Sequence, residues 1–318
     1  MPKKEMPSAH RLFSTLRQHL SENHVMVAAE ILTASDLTAG RFQAGDFAVL
    51  GNPIAHSLSP VMHQASLAAL APMHPNLRGR RYHRILIQSE ELPKALEHLR
   101  LMGCSGVNLT VPHKVAAMSL IQEIDISAAD CGATNTLVPT PRGWRGMNTD
   151  GAGFAEALAE KSGTGPEGRP FVILGAGGAA RAVAFACLRL GCASILILNR
   201  GEPRRVALTE ALNRPNIKHG PLTEENLPPN AVIVNCTPLG LKAEDLSPIN
   251  PAHLHMGMFV FDATYSALPS ALVQAARVRG IVACDGRPML RWQGALAFKA
   301  WTGILPPIQI MAHALGEI

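Results

Sequence analysis

The segment Gly175-Ala176-Gly177-Gly178-Ala179-Ala180 constrains this chain more than any other stretch. It follows the apolar run FVIL and opens a segment with Ala180, Val183, Ala184, Cys187 and Leu190 on one helical face, which stops at Gly191. Strand, glycine turn and helix in that order form a dinucleotide-binding turn. The first glycine makes the tight turn, and the second lets backbone N–H groups approach a pyrophosphate. The small last residue lets the helix lie close to the strand, and the helix N-terminus holds the anion. A glycine turn without a ligand is the plainer reading, and the flanking strand and helix argue against it. Gly175, Ala176, Gly177, Gly178 and Ala179 are therefore expected at the cofactor.

The next strand, ILILNR, ends about 20 residues beyond the turn, where NAD enzymes place an acidic residue for the ribose 2′-hydroxyl. This chain has Asn199 and Arg200 there, followed by Arg204 and Arg205. A carboxylate would repel a 2′-phosphate, whereas arginine offers a planar, permanently charged donor fork. The expected cofactor is NADP(H) rather than NAD, with Arg200 and Arg204 as phosphate ligands. Solvated loop arginines are the alternative reading.

The rest of the chain alternates strand and helix. DFAVLGN, RYHRILI, GVNLTVP and ATNTLVP are predicted strands before the glycine turn, and AVIVNC, MFVFDA and IVACDG follow it. Such alternation predicts an α/β fold with parallel pairs. The glycine-rich break SGTGPEG at 162–168 divides it in two. The expected organisation is an extension over 1–45, a substrate-binding domain over 46–152 joined by returning C-terminal helices over 288–318, and a Rossmann domain over 153–287. In the extension, Leu12, Phe13, Leu16 and Leu20 share a helical face. It either packs on the body of the protein or makes a dimer contact, so monomer and homodimer both stay open.

Composition narrows the function. With 47% hydrophobic and 17% charged residues, the chain is no disordered polyelectrolyte. The net charge of +5 is scattered rather than interleaved with aromatics, which disfavours nucleic acid and suits a small anionic substrate or a phosphorylated cofactor. The six cysteines form no C-x-x-C pair, and His253 and His255 stand without a third ligand, so neither disulfides nor a metal are expected. No apolar run is long enough for a membrane helix, and the start MPKKEMPSAHRLF lacks the apolar core of a secretory signal. A cytoplasmic enzyme is the expectation.

Four segments of the first half go further than composition. They are Gly51-Asn52-Pro53-Ile54-Ala55-His56-Ser57-Leu58-Ser59-Pro60, Gly106-Val107-Asn108-Leu109-Thr110-Val111-Pro112-His113-Lys114, Gly132-Ala133-Thr134-Asn135-Thr136-Leu137 and Asn148-Thr149-Asp150-Gly151. Together with GAGGAARA, Asn235-Cys236-Thr237, Asp262-Ala263-Thr264-Tyr265 and the run from Gly286 to Gly294, the chain resembles the shikimate dehydrogenase family over about 46–305. The resemblance implies NADPH-dependent reduction of 3-dehydroshikimate to shikimate. It assigns Lys114 and Asp150 to catalysis. Ser57, Ser59, Thr110, Asn135, Asp150, Tyr265 and Gln293 are assigned to substrate. Asn199, Thr237, Ala263, Gly286 and Met289 join the cofactor residues above. Quinate/shikimate or aminoshikimate dehydrogenase is the second reading, and a catalytically silent binding module of the same fold is the third.

Reduction of a ketone needs a hydride donor, a polarised carbonyl and a proton source. A lysine cation at the carbonyl oxygen stabilises the developing charge and supplies the proton, which suits Lys114, with Asp150 to orient it. Ser59, just before Pro60, also has the form of a helix N-cap, a role that competes with substrate binding. Ser57 has no such competing role. Asn135 has the alternative of a strand-end turn residue. Gln293 sits in an apolar helix where an unpartnered amide is costly, and a ligand would partner it. His113 stands where the family usually has phenylalanine, Ala267 where proline is common, and Gly201 where threonine is common. The first two are expected to alter packing only, and the third removes a hydroxyl from the 2′-phosphate site.

Overall fold

The computed structural model describes residues 30–317. The apolar face formed by Leu12, Phe13, Leu16 and Leu20 lies outside them. The first sheet contains β1 (Ile31–Thr33), β2 (Phe47–Gly51), β3 (Tyr82–Leu86), β4 (Gly106–Leu109), β5 (Glu123–Ile124), β6 (Thr136–Thr140) and β7 (Gly143–Met147). Its helices are α1 (Ala34–Thr38), α2 (Ser59–Leu70), α3 (Leu92–Leu101), α4 (His113–Ala116), α5 (Ile126–Cys131) and α6 (Asp150–Ser162). The strand order is β1-β3-β2-β4-β6-β7-β5. Strands β2 and β4 are buried along their whole length, which is why neither alternates, and Asn108 is the one polar residue of β4.

Two features depart from the sequence expectation. The predicted strand ATNTLVP, now β6, runs antiparallel to β4 and pairs with β7 in a hairpin closed by Pro141 and Arg142. A link of two residues permits only an antiparallel return. The sheet also begins upstream of position 46, since β1 pairs in parallel with β3 inside the stretch expected to be an extension.

The second sheet contains β8 (Pro170–Leu174), β9 (Ser194–Leu198), β10 (Ile217–Gly220), β11 (Val232–Asn235), β12 (Phe259–Asp262) and β13 (Val282–Cys284). Helices α7 (Gly178–Arg189), α8 (Glu202–Leu212), α9 (Ala271–Val278), α10 (Arg287–Thr302) and α11 (Ile308–Ala314) accompany it. All its strands are parallel in the order β10-β9-β8-β11-β12-β13. The order reverses between β8 and β11, and that is where a doubly wound sheet opens a crevice for a ligand.

Helix α10 belongs to both halves. Met289, near its start, packs in the second sheet's core, whereas Phe298, nine residues on, packs with Phe47 and Val49 of the first. Sixteen residues make a rod of about 24 Å, enough to cross from one core to the other. Ala295 of α10 packs with Met62 of α2 and Met311 of α11, so the C-terminal helices do return to the first half.

Two glycines let α6 lie between its neighbours. A Cβ on Gly151 would stand 2.5 Å from the Ala182 carbonyl oxygen of α7, and one on Gly153 would stand 2.6 Å from the Gln293 nitrogen of α10. Helix α6 therefore touches both neighbours by backbone. This fixes its first residue, Asp150, relative to Gln293 on one side and the cofactor turn on the other.

Candidate active site

The first half presents its polar groups where β2 and β4 end and β6 begins. A Cβ on Gly51, the last residue of β2, would fall 2.4 Å from Thr110 Cγ2, so the two strand ends meet closely. Helix α4 follows Thr110 directly. His113 is fully buried at its start and its Nε2 bonds the Ile87 carbonyl at 2.9 Å. Burial lowers the His113 pKa, partly opposed by that bond. The departure at 113 therefore does more than fill space: it ties α4 to the chain after β3. The Lys114 carbonyl accepts from the Thr134 N–H at 2.8 Å, which secures the other side of the turn.

The Lys114 ammonium donates to Asp150 Oδ2 at 2.6 Å. The lysine side chain is 23% exposed and the carboxylate 8%, so the cation is the more open of the two and the anion stands behind it. Asp150 is the first residue of α6, where the helix dipole favours negative charge. Its N–H donates to Asn148 Oδ1 at 3.0 Å, and its Oδ1 accepts from Asn135 Nδ2 at 2.8 Å. Asn135 also accepts at Oδ1 from the Thr149 N–H at 2.8 Å and the Thr136 hydroxyl at 2.9 Å. The same amide that orders the turn also holds the carboxylate that pairs with Lys114.

Gln293 approaches this cluster from α10. Its Oε1 lies 3.4 Å from Asn135 Nδ2, and its Nε2 donates to the Leu290 carbonyl at 2.8 Å. Protein groups thus partner the amide that the sequence left to a ligand. The expectation for Ser59 also changes. Helix α2 begins at Ser59 itself, with Leu58 as its cap residue, so Ser59 does not cap it. Instead Ser57 Oγ accepts from the Ser59 N–H, at a long 3.4 Å. Nearby in the same sheet, the Tyr82 phenol donates to Asn108 Oδ1 at 2.7 Å. Asn108 in turn donates to the Asn135 carbonyl at 3.0 Å. Tyr82 and Asn108 did not stand out in the sequence. Asn108 signals itself only as one polar residue in a buried strand, and such a residue must be hydrogen-bonded.

The residues expected at the cofactor lie along the carboxyl edge of the second sheet. Gly175 has φ +107, and a Cβ there would meet the Cys236 carbonyl at 3.0 Å, so glycine is required where β8 and β11 converge. Gly177 precedes α7 without a side-chain cap, and nothing lies within 4 Å of where a Cβ on Gly177 or Gly178 would stand. Free helix N–H groups beside open space fit a pyrophosphate. Arg200 and Arg204 are exposed and form no ion pair among the described residues, while Arg205 is committed to the protein through the Asn199 carbonyl at 3.1 Å. Asn199 Nδ2 donates to the Gly201 carbonyl at 2.8 Å. Thr237 donates from its hydroxyl to Asn235 Oδ1 at 2.7 Å, and the Ala263 N–H donates to the Asn235 carbonyl at 2.8 Å. Gly286 closes the edge, with room for no side chain against the Ala263 carbonyl. Tyr265 follows β12, its phenol pKa raised by burial, and makes no hydrogen bond to the Lys114 cluster among the described residues.

Comparison with known proteins accords with this arrangement. Residues 49–137 match the shikimate dehydrogenase substrate binding domain, and residues 286–315 match the shikimate 5′-dehydrogenase C-terminal domain. A shikimate dehydrogenase (NADP(+)) of Moorella thermoacetica is 38% identical over 283 residues, covering 86% of this chain and 93% of the relative. One from Rubrobacter xylanophilus is 40% identical over 273 residues, covering 84% and 94%. The crystal structure of the Thermus thermophilus shikimate 5-dehydrogenase in complex with NADP(H) and shikimate superposes with a TM-score of 0.76 at 36% identity, covering 86% of this chain and 99% of that one. With its motifs in family order, and near-full-length relatives well above 30% identity, the chain belongs to the shikimate dehydrogenase family.

Proposed function

We propose that the protein is an NADP-dependent shikimate dehydrogenase, catalysing the reversible reduction of 3-dehydroshikimate to shikimate in the route to chorismate and the aromatic amino acids. The observation that carries this reading is the partly exposed Lys114 ammonium backed by a buried Asp150 carboxylate, on a chain of this family. NADPH supplies the hydride when bound. Lys114 stabilises the charge that develops on the substrate oxygen and gives up a proton to it. Asp150, aimed by Asn135, holds the ammonium in place and accepts from the substrate hydroxyl. Ser57 and Ser59 take the carboxylate, and Thr110, Tyr265 and Gln293 complete the substrate pocket. The open glycine turn holds the pyrophosphate and Arg200 with Arg204 the 2′-phosphate, while Asn199, Thr237, Ala263, Gly286 and Met289 line the rest.

Six free cysteines suit a reducing, cytoplasmic setting. No helix among the described residues is long and apolar enough to cross a membrane. The partners in this reading are small molecules, and the protein works as a monomer or homodimer.

Shikimate and quinate, each assayed with NADP⁺ and NAD⁺, test the assignment. Quinate carries an added hydroxyl on the carbon bearing the carboxylate, next to the predicted serine ligands. Burying it unpaired costs about 1–3 kcal/mol, so shikimate is expected to be preferred by at least about tenfold in kcat/KM. Equal values for the two would move the protein to the quinate/shikimate class.

A further inference from the structure

We propose that Asp262 is a positioning residue that fixes the nicotinamide half of the cofactor site, by holding the loops after β11 and β12 together; this rests on the NADP-dependent reading above. Asp262 and Asn235 are fully buried polar residues at the ends of adjacent parallel strands, in register with each other. No cation pairs with Asp262 among the described residues, so hydrogen bonds alone compensate its burial. Its Oδ1 accepts from the Thr264 N–H at 2.9 Å, the Thr264 hydroxyl at 2.8 Å and Asn235 Nδ2 at 2.9 Å. Its Oδ2 accepts from the Ser270 hydroxyl at the start of α9.

Asn235 passes the constraint on. Its Nδ2 also donates to the Leu239 carbonyl at 2.8 Å, and its Oδ1 accepts from the Thr237 N–H at 3.0 Å. The loop seats directly on this network. A Cβ on Gly240 would stand 2.8 Å from both Thr264 Oγ1 and Ser270 Cβ. One carboxylate thereby sets three chain segments, including those that carry Thr237 and Tyr265.

The strand order says which half of a dinucleotide this edge serves. Arg200 and Arg204 follow β9 on one side of the Gly175 turn, while β11 and β12 lie on the other. The adenosine end therefore belongs to β9 and the reacting end to β11 and β12.

The test measures binding by calorimetry for two ligands, NADPH and 2′,5′-ADP, which carries the 2′-phosphate but no nicotinamide. Asp262→Ala is expected to weaken NADPH at least about tenfold and 2′,5′-ADP less than about twofold, because only the far half loses its frame. Asp262→Asn keeps a carbonyl oxygen for the Thr264 and Asn235 donors and should bind NADPH within about threefold of the parent. Ser270→Ala, which removes the donor to Oδ2 together with the acceptor that caps α9, gives the same selective weakening on a smaller scale and serves if Asp262→Ala does not fold. Equal weakening of both ligands, or none, overturns the proposal. Failure of the parent protein to bind NADPH would instead overturn the cofactor assignment.

Discussion

The Lys114 ammonium donates to Asp150 Oδ2 at 2.6 Å across 36 residues of chain, and Asn135 holds the other carboxylate oxygen at 2.8 Å. The cation is thus aimed by an anion that is itself aimed. Charge on Lys114 matters most while the alkoxide forms, so its loss should appear in turnover rather than in binding. Lys114→Met is expected to lower kcat by about 10²- to 10⁴-fold, with KM for shikimate changed far less. Steady-state kinetics of the purified variant decide it, and unchanged turnover removes Lys114 as proton donor.

Arg200 and Arg204 have no partner to lose within the described protein. Replacing both by alanine should therefore leave the fold intact and remove only contacts to the 2′-phosphate. Hydrogen bonds to a charged group contribute about 1.5–3 kcal/mol each, so kcat/KM with NADP⁺ should fall by at least about tenfold while that with NAD⁺ holds. Retained preference would mean that the 2′-phosphate is read elsewhere.

Gly153 sits against the backbone of Gln293, with 2.6 Å left for a Cβ. Gly153→Ala must push α6 from α10, at a cost of about 1–3 kcal/mol, and should depress kcat as Asp150 and Gln293 separate. Gly165 has open space at its Cβ position, so Gly165→Ala serves as the control and is expected to stay within about 0.5 kcal/mol. Denaturant unfolding of the pair checks both.

Arg291 is 2% exposed and bonds two carboxylates, Glu317 Oε1 at 2.7 Å and Glu160 Oε1 at 2.9 Å, joining α10 to α6 and the C-terminal segment. These bonds, with those from Trp292 and Lys161, bring the Glu160 pKa down to about 2 from 4.5 despite opposing desolvation. A depressed folded-state pKa contributes stability above the unfolded value, and that contribution is lost as pH falls from about 4.5 towards about 2. Glu160→Gln should flatten stability against pH in that window and lower stability at neutral pH. An unchanged acid slope would mean that the clamp is not what titrates. Arg291→Met leaves two carboxylates with Lys161 as their remaining cation and should cost about 3–5 kcal/mol.

How far the sequence reaches depends on how each residue is used. The glycine turn and the strand before it are local, so Gly175 and Gly177 are legible from spacing alone. Strand β1 is three residues long inside a stretch with no periodicity, and only its pairing with β3 makes it a strand. The direction of β6 depends on β7, which carries a tryptophan and an arginine among glycines and has no strand pattern. Ser59 has the sequence of a cap but lies one position inside the helix, a difference that only backbone geometry settles. Asn235 and Asp262 end apolar strands, and nothing in their spacing links them, because they meet only through the pairing of β11 with β12.

Adding 3-dehydroshikimate to the purified protein with NADPH and following near-ultraviolet absorbance shows whether Lys114 and its carboxylate reduce the ring ketone. Absorbance is expected to fall, matched mole for mole by shikimate, markedly more slowly with NADH and not at all or nearly so in Lys114→Met. NADPH left unconsumed by the folded parent protein, or consumed without shikimate forming, would contradict it.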